Sequence, residues 1–480
     1  MLFNSFEYAV FLPVVFLLYW LVFTQLKWQN LFLLAVSYLF YGWWDYRFLS
    51  LLIFSSVVDF LVARQMEKVE VSLHRKRLLG ISLFSNLGLL AVFKYYNFFI
   101  SELITAFSGI GIDLDMGTLK VILPVGISFY TFQTLSYTID VFRKKIKPVA
   151  DWVTFFAYVS FFPQLVAGPI ERASNLIPQF TKSRKFSYDQ ARDGMQQILW
   201  GLFKKVVIAD NCAVVVNTIF ANYTELNTIS LILGAFLFSI QIYCDFSGYS
   251  DIAIGTARLF GFKLMRNFAF PYFSRDIAEF WRRWHISLST WFRDYLYIPL
   301  GGSRVKSKAR LVFNVAAIFL VSGCWHGANW TFIVWGALHA LYFLPGILLG
   351  KNRRHLDVVA KGKVFPGLQD LINMSMTFFL VLIAWIFFRA ESVSQAVDYI
   401  VRLFTSFDFS IRPLGKNVLL LFGITIMMSI EWLQRNKEHG LQLAVDQLNK
   451  PSRGIIYLTT AMAILLLAPK QPSVFIYFQF

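Results

Sequence analysis

Six histidines are present, at positions 74, 285, 326, 339, 355 and 439. His74, His355 and His439 stand in charged stretches beside Lys or Arg and read as solvated surface groups. His285, His326 and His339 stand in apolar surroundings, where an ionisable ring is costly and a functional role is the default expectation. His326 lies in Val321-Ser322-Gly323-Cys324-Trp325-His326-Gly327-Ala328-Asn329-Trp330. The flanking glycines remove side-chain bulk, so that either a substrate or a neighbouring helix can come close. A neutral imidazole in a poorly solvated place is a good general base near neutral pH. The competing reading is a structural ring bonded to a backbone carbonyl. His285, four residues after Trp281 and three before Leu288, points with an apolar face. His339 falls in mid-span and reads as a packing residue.

Asp245 and Asp251, in Cys244-Asp245-Phe246-Ser247-Gly248-Tyr249-Ser250-Asp251, suit a cation or an ammonium group; helix capping at the end of a span is the alternative. Cys212, Cys244 and Cys324 are scattered, so no metal or redox site is expected. Cys324 as a covalent nucleophile is disfavoured, because it is expected to be buried with nothing to lower its pKa. The phosphate-loop, nucleophile-elbow, HExxH and dinucleotide fingerprints are absent from the sequence.

The elements that must hold these groups are membrane helices. Of 480 residues, 57% are hydrophobic and 15% charged, against about 25% charged in soluble domains. That excludes intrinsic disorder, a disulfide-stapled domain and an ordinary cytosolic enzyme. A net charge of +17 arises from Lys and Arg placed between apolar runs. It is read as the cytoplasmic excess of a multi-pass protein, not as a nucleic-acid surface. Apolar runs of about 20 residues are candidate spans at 7–24, 28–45, 47–64, 78–100, 119–139, 196–220, 226–244, 311–328, 330–349, 368–389, 417–434 and 454–470. The expected fold is all-α and polytopic, with about 11–12 transmembrane helices plus re-entrant and interfacial helices around a central cavity. The first run has no basic segment before it and no small-residue cleavage site after it, so it reads as a permanent span.

Loop charges set the orientation. Lys68, Arg75, Lys76 and Arg77 place 65–77 in the cytoplasm; Glu102, Asp113 and Asp115 place 101–118 outside. Run 151–168 has basic residues on both sides and is broken by Pro163 and Gly168-Pro169, so it reads as re-entrant. Segment 245–310 is basic yet aromatic throughout. Within it, Ile277, Trp281, Trp284, Leu288, Trp291, Phe292 and Tyr295 recur at helical spacing, predicting one amphipathic helix in the membrane interface. A single domain over 1–480 is expected, with 245–310 as a cytoplasmic or interfacial motif region and 311–349 as a hairpin presenting His326.

Several segments together resemble the membrane-bound O-acyltransferase family, in particular its bacterial branch of alginate O-acetyltransferase membrane subunits. They are Leu123–Gln133 (LPVGISFYTFQ), Phe162–Ile170 (FPQLVAGPI), Asp245–Asp251 (DFSGYSD), Phe280–Gly302 (FWRRWHISLSTWFRDYLYIPLGG) and Trp325-His326-Gly327. The resemblance implies transfer of an acyl group from a cytosolic thioester to an acceptor, with His326 as catalytic base and His285 at the second motif position. It also implies a cytoplasmic (inner) membrane location, a polysaccharide acceptor and separate periplasmic partner proteins. No cofactor is expected to stay bound; acetyl-CoA enters as donor substrate. Arg282, Arg283 and Arg293 are candidates for its phosphates, and Asn329 is a candidate oxyanion donor. The rival class is a transporter or flippase, against which the scarcity of acidic residues in the spans counts. Peptidoglycan and teichoic-acid acceptors are the other outcomes within the acyltransferase reading.

Overall fold

The computed structural model describes all residues except 120–122, 167, 407–409, 443–447, 471–472 and 479–480. Among the described residues every regular element is helical. Parts of two expected elements, the 119–139 span and run 151–168, lie outside the described residues at 120–122 and 167. Among the described residues six helices are long and apolar enough to cross a bilayer: Tyr46–Lys68, Ser72–Ser108, Thr228–Leu259, Lys308–His326, Trp330–Leu348 and Leu368–Arg389. Phe6–Val22 and Val418–Leu433 are shorter apolar helices. An all-helical chain is what lipid demands, since a backbone without water must satisfy its own hydrogen bonds.

The chain packs as two compact units, Met1–Ala191 with Thr256–Leu264, and Arg192–Gly255 with Met265–Phe480. In the first, the helices Tyr46–Lys68, Ser72–Leu90 and Ile127–Phe142 meet at polar side chains. Buried Asp59 accepts from Ser82 Oγ at 2.5 Å and from Asn86 Nδ2 at 2.9 Å, and Ser55 Oγ donates to Asn86 Oδ1 at 2.6 Å. Such bonds hold helices together where lipid supplies no hydrophobic drive. Run 151–168 is broken as expected: Asp151 caps Trp152–Ser160, and Phe162–Leu165 follows. Nine residues rise about 14 Å, under half of a hydrocarbon core of about 30 Å.

The second unit carries the candidate chemistry. Helix Thr228–Leu259, of which residues up to Gly255 belong to this unit, corrects an expected boundary. The span was placed at 226–244 with Asp245 and Asp251 at its end; the helix instead continues 15 residues past Cys244, and both carboxylates lie inside it. Two lysines pair with them. Lys204 Nζ is 2.6 Å from Asp251, and Lys205 Nζ is 2.8 Å from Asp245. Buried charges persist only when paired in this way. Gly201 and Gly248 allow the approach, since a Cβ on Gly201 would stand 2.5 Å from the Gly248 carbonyl oxygen.

Lys308–His326 and Trp330–Leu348 form the expected hairpin. Gly323 faces the Phe332 carbonyl and Gly336 the Phe319 carbonyl, each too close for a side chain. The two readings of the glycines are thereby decided at position 323 in favour of a neighbouring helix.

Candidate functional site

The single amphipathic helix expected over 277–295 is a correction: three short pieces occupy that stretch. Asp276 caps Ile277–Arg283, a second helix spans Ile286–Phe292, and a wider π-turn covers Arg293–Tyr297. The break falls at His285, whose φ is +42°. A non-glycine residue in that left-handed region is uncommon and is held there by its surroundings. Ile286 N donates to the Asn267 carbonyl at 2.9 Å, and His285 Nδ1 is 3.0 Å from Asn267 Oδ1. An amide oxygen only accepts, so Nδ1 carries the proton and Nε2 holds the lone pair. Ser287 Oγ donates to the same oxygen at 2.9 Å, and Asn267 Nδ2 donates to Ser250 Oγ at 3.1 Å. His285 is fully buried, outside the six spans, and burial pushes its pKa down to about 3. It is therefore a neutral imidazole of fixed tautomer.

His326 is the last residue of Lys308–His326. Eighteen residues separate it from Lys308, about 27 Å along the axis, so a basic end and an imidazole sit a membrane's thickness apart on one helix. The ring is buried, with centroids 4.9 Å from Trp325, 4.9 Å from Trp335, 5.2 Å from Phe388 and 5.7 Å from Tyr477. His285 shares two of these neighbours, Trp325 at 5.9 Å and Tyr477 at 6.4 Å. The two histidines are thus brought to one cluster of aromatic rings from positions 41 residues apart in the sequence. Tyr477 was missed by sequence reasoning; an apolar segment so far from either motif carries no local signal. His339 packs as expected, its Nδ1 accepting from Trp281 Nε1 at 3.3 Å beside Trp335 and Phe319.

A cavity of about 490 Å³ opens nearby in the same unit. Its lining includes Arg282, Arg293, Arg304 and Arg353 together with Trp281, Leu288, Phe319 and Ser322. Ser322 lies one helical turn before His326. His326 is not among the lining residues. Trp281, on the wall, has its ring 5.7 Å from Trp335, and Trp335 is 4.9 Å from His326.

The remaining candidates divide. Arg282 and Arg293 reach the cavity, and Arg283 does not line it. Arg282 donates to the carbonyls of Asn352 and His355, both at 2.8 Å, so part of its capacity ties the 351–357 loop. Arg283 is bound to Glu279 at 2.8 Å and to the Asp357 carbonyl at 3.1 Å. Arg304 and Arg353 were not singled out, since one basic residue in a basic run looks like another. Asn329 caps Trp330–Leu348 by accepting from Thr331 N at 2.9 Å and donates to the Glu391 carbonyl at 2.9 Å. Its amide is spent on structure. Two expectations are corrected outright. His439 is buried, with Nε2 3.0 Å from Asp193 Oδ1, and Cys324 is exposed on the outer side of its helix. Among the described residues no His, Cys, Asp and Glu grouping suits a metal ion.

Membrane-length helices and a hairpin that ends in a buried histidine, in a unit that also holds a cavity lined by arginines, define a multi-pass membrane protein. Residues 140–388 match the membrane-bound O-acyltransferase (MBOAT) family, and the chain belongs to it. It is 35% identical to a probable alginate O-acetylase AlgI of Pseudomonas putida, over 98% of both chains. It is 32% identical to a peptidoglycan O-acetyltransferase of Helicobacter pylori, over 100% of this chain and 98% of that one. A teichoic acid D-alanyltransferase of Bacillus subtilis is 31% identical over 45% of this chain and 57% of its own. The protein is an acyltransferase of the bilayer.

Proposed function

We propose that this chain moves an acetyl group from cytosolic acetyl-CoA toward hydroxyls of an extracytoplasmic, alginate-like polysaccharide, with His326 as general base. The observation that carries the reading is the cavity of about 490 Å³, lined by four arginines and by Ser322, which lies one turn from His326. Guanidinium groups match phosphate oxygens in geometry and charge, and the apolar residues of the lining suit a pantetheine arm. The ring layer of Trp281 and Trp335 stands between the cavity and the imidazole, so the acetyl tip reaches His326 by displacing a ring of that layer.

In the step proposed, the His326 imidazole takes the proton of an acceptor hydroxyl as its oxygen forms a bond to the thioester carbonyl carbon. The C–S bond then breaks, and the imidazolium returns the proton to the leaving thiolate. General-base help of this kind is worth 10²–10⁴-fold. His285, neutral and of fixed tautomer, lies against the same cluster of rings. The acceptor reading follows the names of the relatives, which include peptidoglycan and teichoic-acid transferases beside the alginate O-acetylase. Location in the inner membrane and delivery through periplasmic partner proteins complete the proposal. Purified protein in lipid nanodiscs should release free CoA from acetyl-CoA when given acceptor, and surface glycans of cells lacking it should lose acetyl esters by mass spectrometry. Unchanged glycan acetylation, with no CoA release, would refute it.

A further inference from the structure

Lys204 and Lys205 are consecutive and buried, on the π-turn Phe203–Ala209 that widens the helix at this point. Each pairs with two carboxylates: Lys204 with Asp251 at 2.6 Å and Glu431 at 3.8 Å, Lys205 with Asp210 at 2.7 Å and Asp245 at 2.8 Å. The first set closes on itself, since Tyr243 donates to Glu431 at 2.7 Å and Gln197 to Asp251 at 2.8 Å. The second reaches outward, and all three of its members grip one distant stretch of chain. Lys205 Nζ donates to the Ser473 carbonyl at 3.2 Å, Ser473 Oγ donates to Asp210 Oδ1 at 2.5 Å, and Ile476 N donates to Asp245 Oδ2 at 2.8 Å. The next residue is Tyr477, whose ring stands 5.7 Å from His326 and 6.4 Å from His285.

We propose that Lys205, Asp210 and Asp245 form a clasp that positions segment 473–478 against the two imidazoles, making Lys205 a positioning residue for the transfer reaction. The inference rests on the functional reading above. Two physical points favour it. A buried ion cluster is a poor means of adding stability, because desolvation offsets its attraction and an apolar replacement often does as well. What charge-assisted bonds do supply is direction, and four of them on residues 473 and 476 set the path of the backbone just before Tyr477. The segment also has little regular structure of its own: its one 3₁₀ turn, Ile476–Phe478, forms no lasting scaffold. Its apolar anchor is Phe475, whose ring stands 4.2 Å from that of Tyr249.

The test joins two measurements on the full chain in nanodiscs. Hydrogen exchange reads whether segment 473–478 is held, with helix Leu368–Arg389, which carries no clasp residue, as the internal control for folding. Acetyl-CoA turnover reads the consequence. In Lys205→Met the segment should exchange at least tenfold faster while the control helix stays protected. Its kcat should fall at least tenfold, with KM for acetyl-CoA within about twofold, since the donor cavity shares no residue with the clasp. Ser473→Ala removes the hydroxyl's bonds to Asp210 and Lys205 without orphaning a buried charge; it should give a smaller change in the same direction, covering the case in which Lys205→Met fails to fold. Lys205→Arg should restore part of the kcat. An unchanged exchange rate in both variants, or a released segment with wild-type kcat, would overturn the clasp. A failure of the catalytic reading shows elsewhere, as full turnover in His326→Gln, and leaves the exchange arm to judge the clasp alone.

Discussion

Replacing His326 with Gln separates chemistry from packing more cleanly than replacing it with Ala. The imidazole is enclosed by Trp325, Trp335, Phe388 and Tyr477. Ala would empty a ring-sized space, and removing roughly 100 Å² of buried contact at ~25 cal/mol per Å² already costs about 2–3 kcal/mol of folding stability. Gln keeps most of the volume and a polar end, but it cannot accept a proton near neutral pH. A general base worth 10²–10⁴-fold corresponds to about 2.7–5.5 kcal/mol of barrier. His326→Gln should therefore lower the rate of CoA release from acetyl-CoA by at least a hundredfold, with its melting temperature within a few degrees of wild type. The assay is chromatographic detection of CoA over time, in nanodiscs with acceptor present. A purified variant turning over within threefold of wild type would refute the assignment of His326, and with it the role given to the ring cluster.

Three further outcomes can be checked with the same preparation. Tyr477→Ala removes the ring that stands 5.7 Å from His326 and 6.4 Å from His285 and should lower kcat tenfold or more with little loss of protein yield; an equal loss of yield would make the residue structural. Neutralising Arg293 and Arg304 together should raise KM for acetyl-CoA severalfold, an effect that shrinks at high salt because exposed charges are screened over about 8–10 Å, while kcat holds. Gly336→Leu drives a side chain into the Phe319 carbonyl of the facing helix; overpacking of this kind costs about 1–3 kcal/mol or more and should lower the melting temperature and the yield of folded protein.

Much of this was written in the residue types. Low charge, membrane-length apolar runs and basic loops sufficed for an all-helical, multi-pass protein, because a lipid environment leaves a backbone few other ways to satisfy its hydrogen bonds. The His326 hairpin was legible because apolar runs and glycines mark it locally. Other features were legible only in part. The 277–295 periodicity named the right apolar residues but hid the break at His285, since spacing carries no information about a backbone held at φ +42°. Asp245 looked like the end of a span because charge is costly in a bilayer; Lys205, 40 residues earlier, removes that cost by pairing with it. His439 looked solvated until Asp193 was found against it.

From its order of residues alone, the chain is committed to the membrane, to its helices and to a histidine at a hairpin tip, all of which follow from local solvation and covalent spacing. Tertiary folding alone decided that His285, His326 and Tyr477 share one cluster of rings, that Lys205 grips the stretch before Tyr477, and which arginines border the cavity. Those are contacts between segments tens to hundreds of residues apart, and such contacts are set by packing and charge pairing in three dimensions, which one-dimensional spacing does not encode.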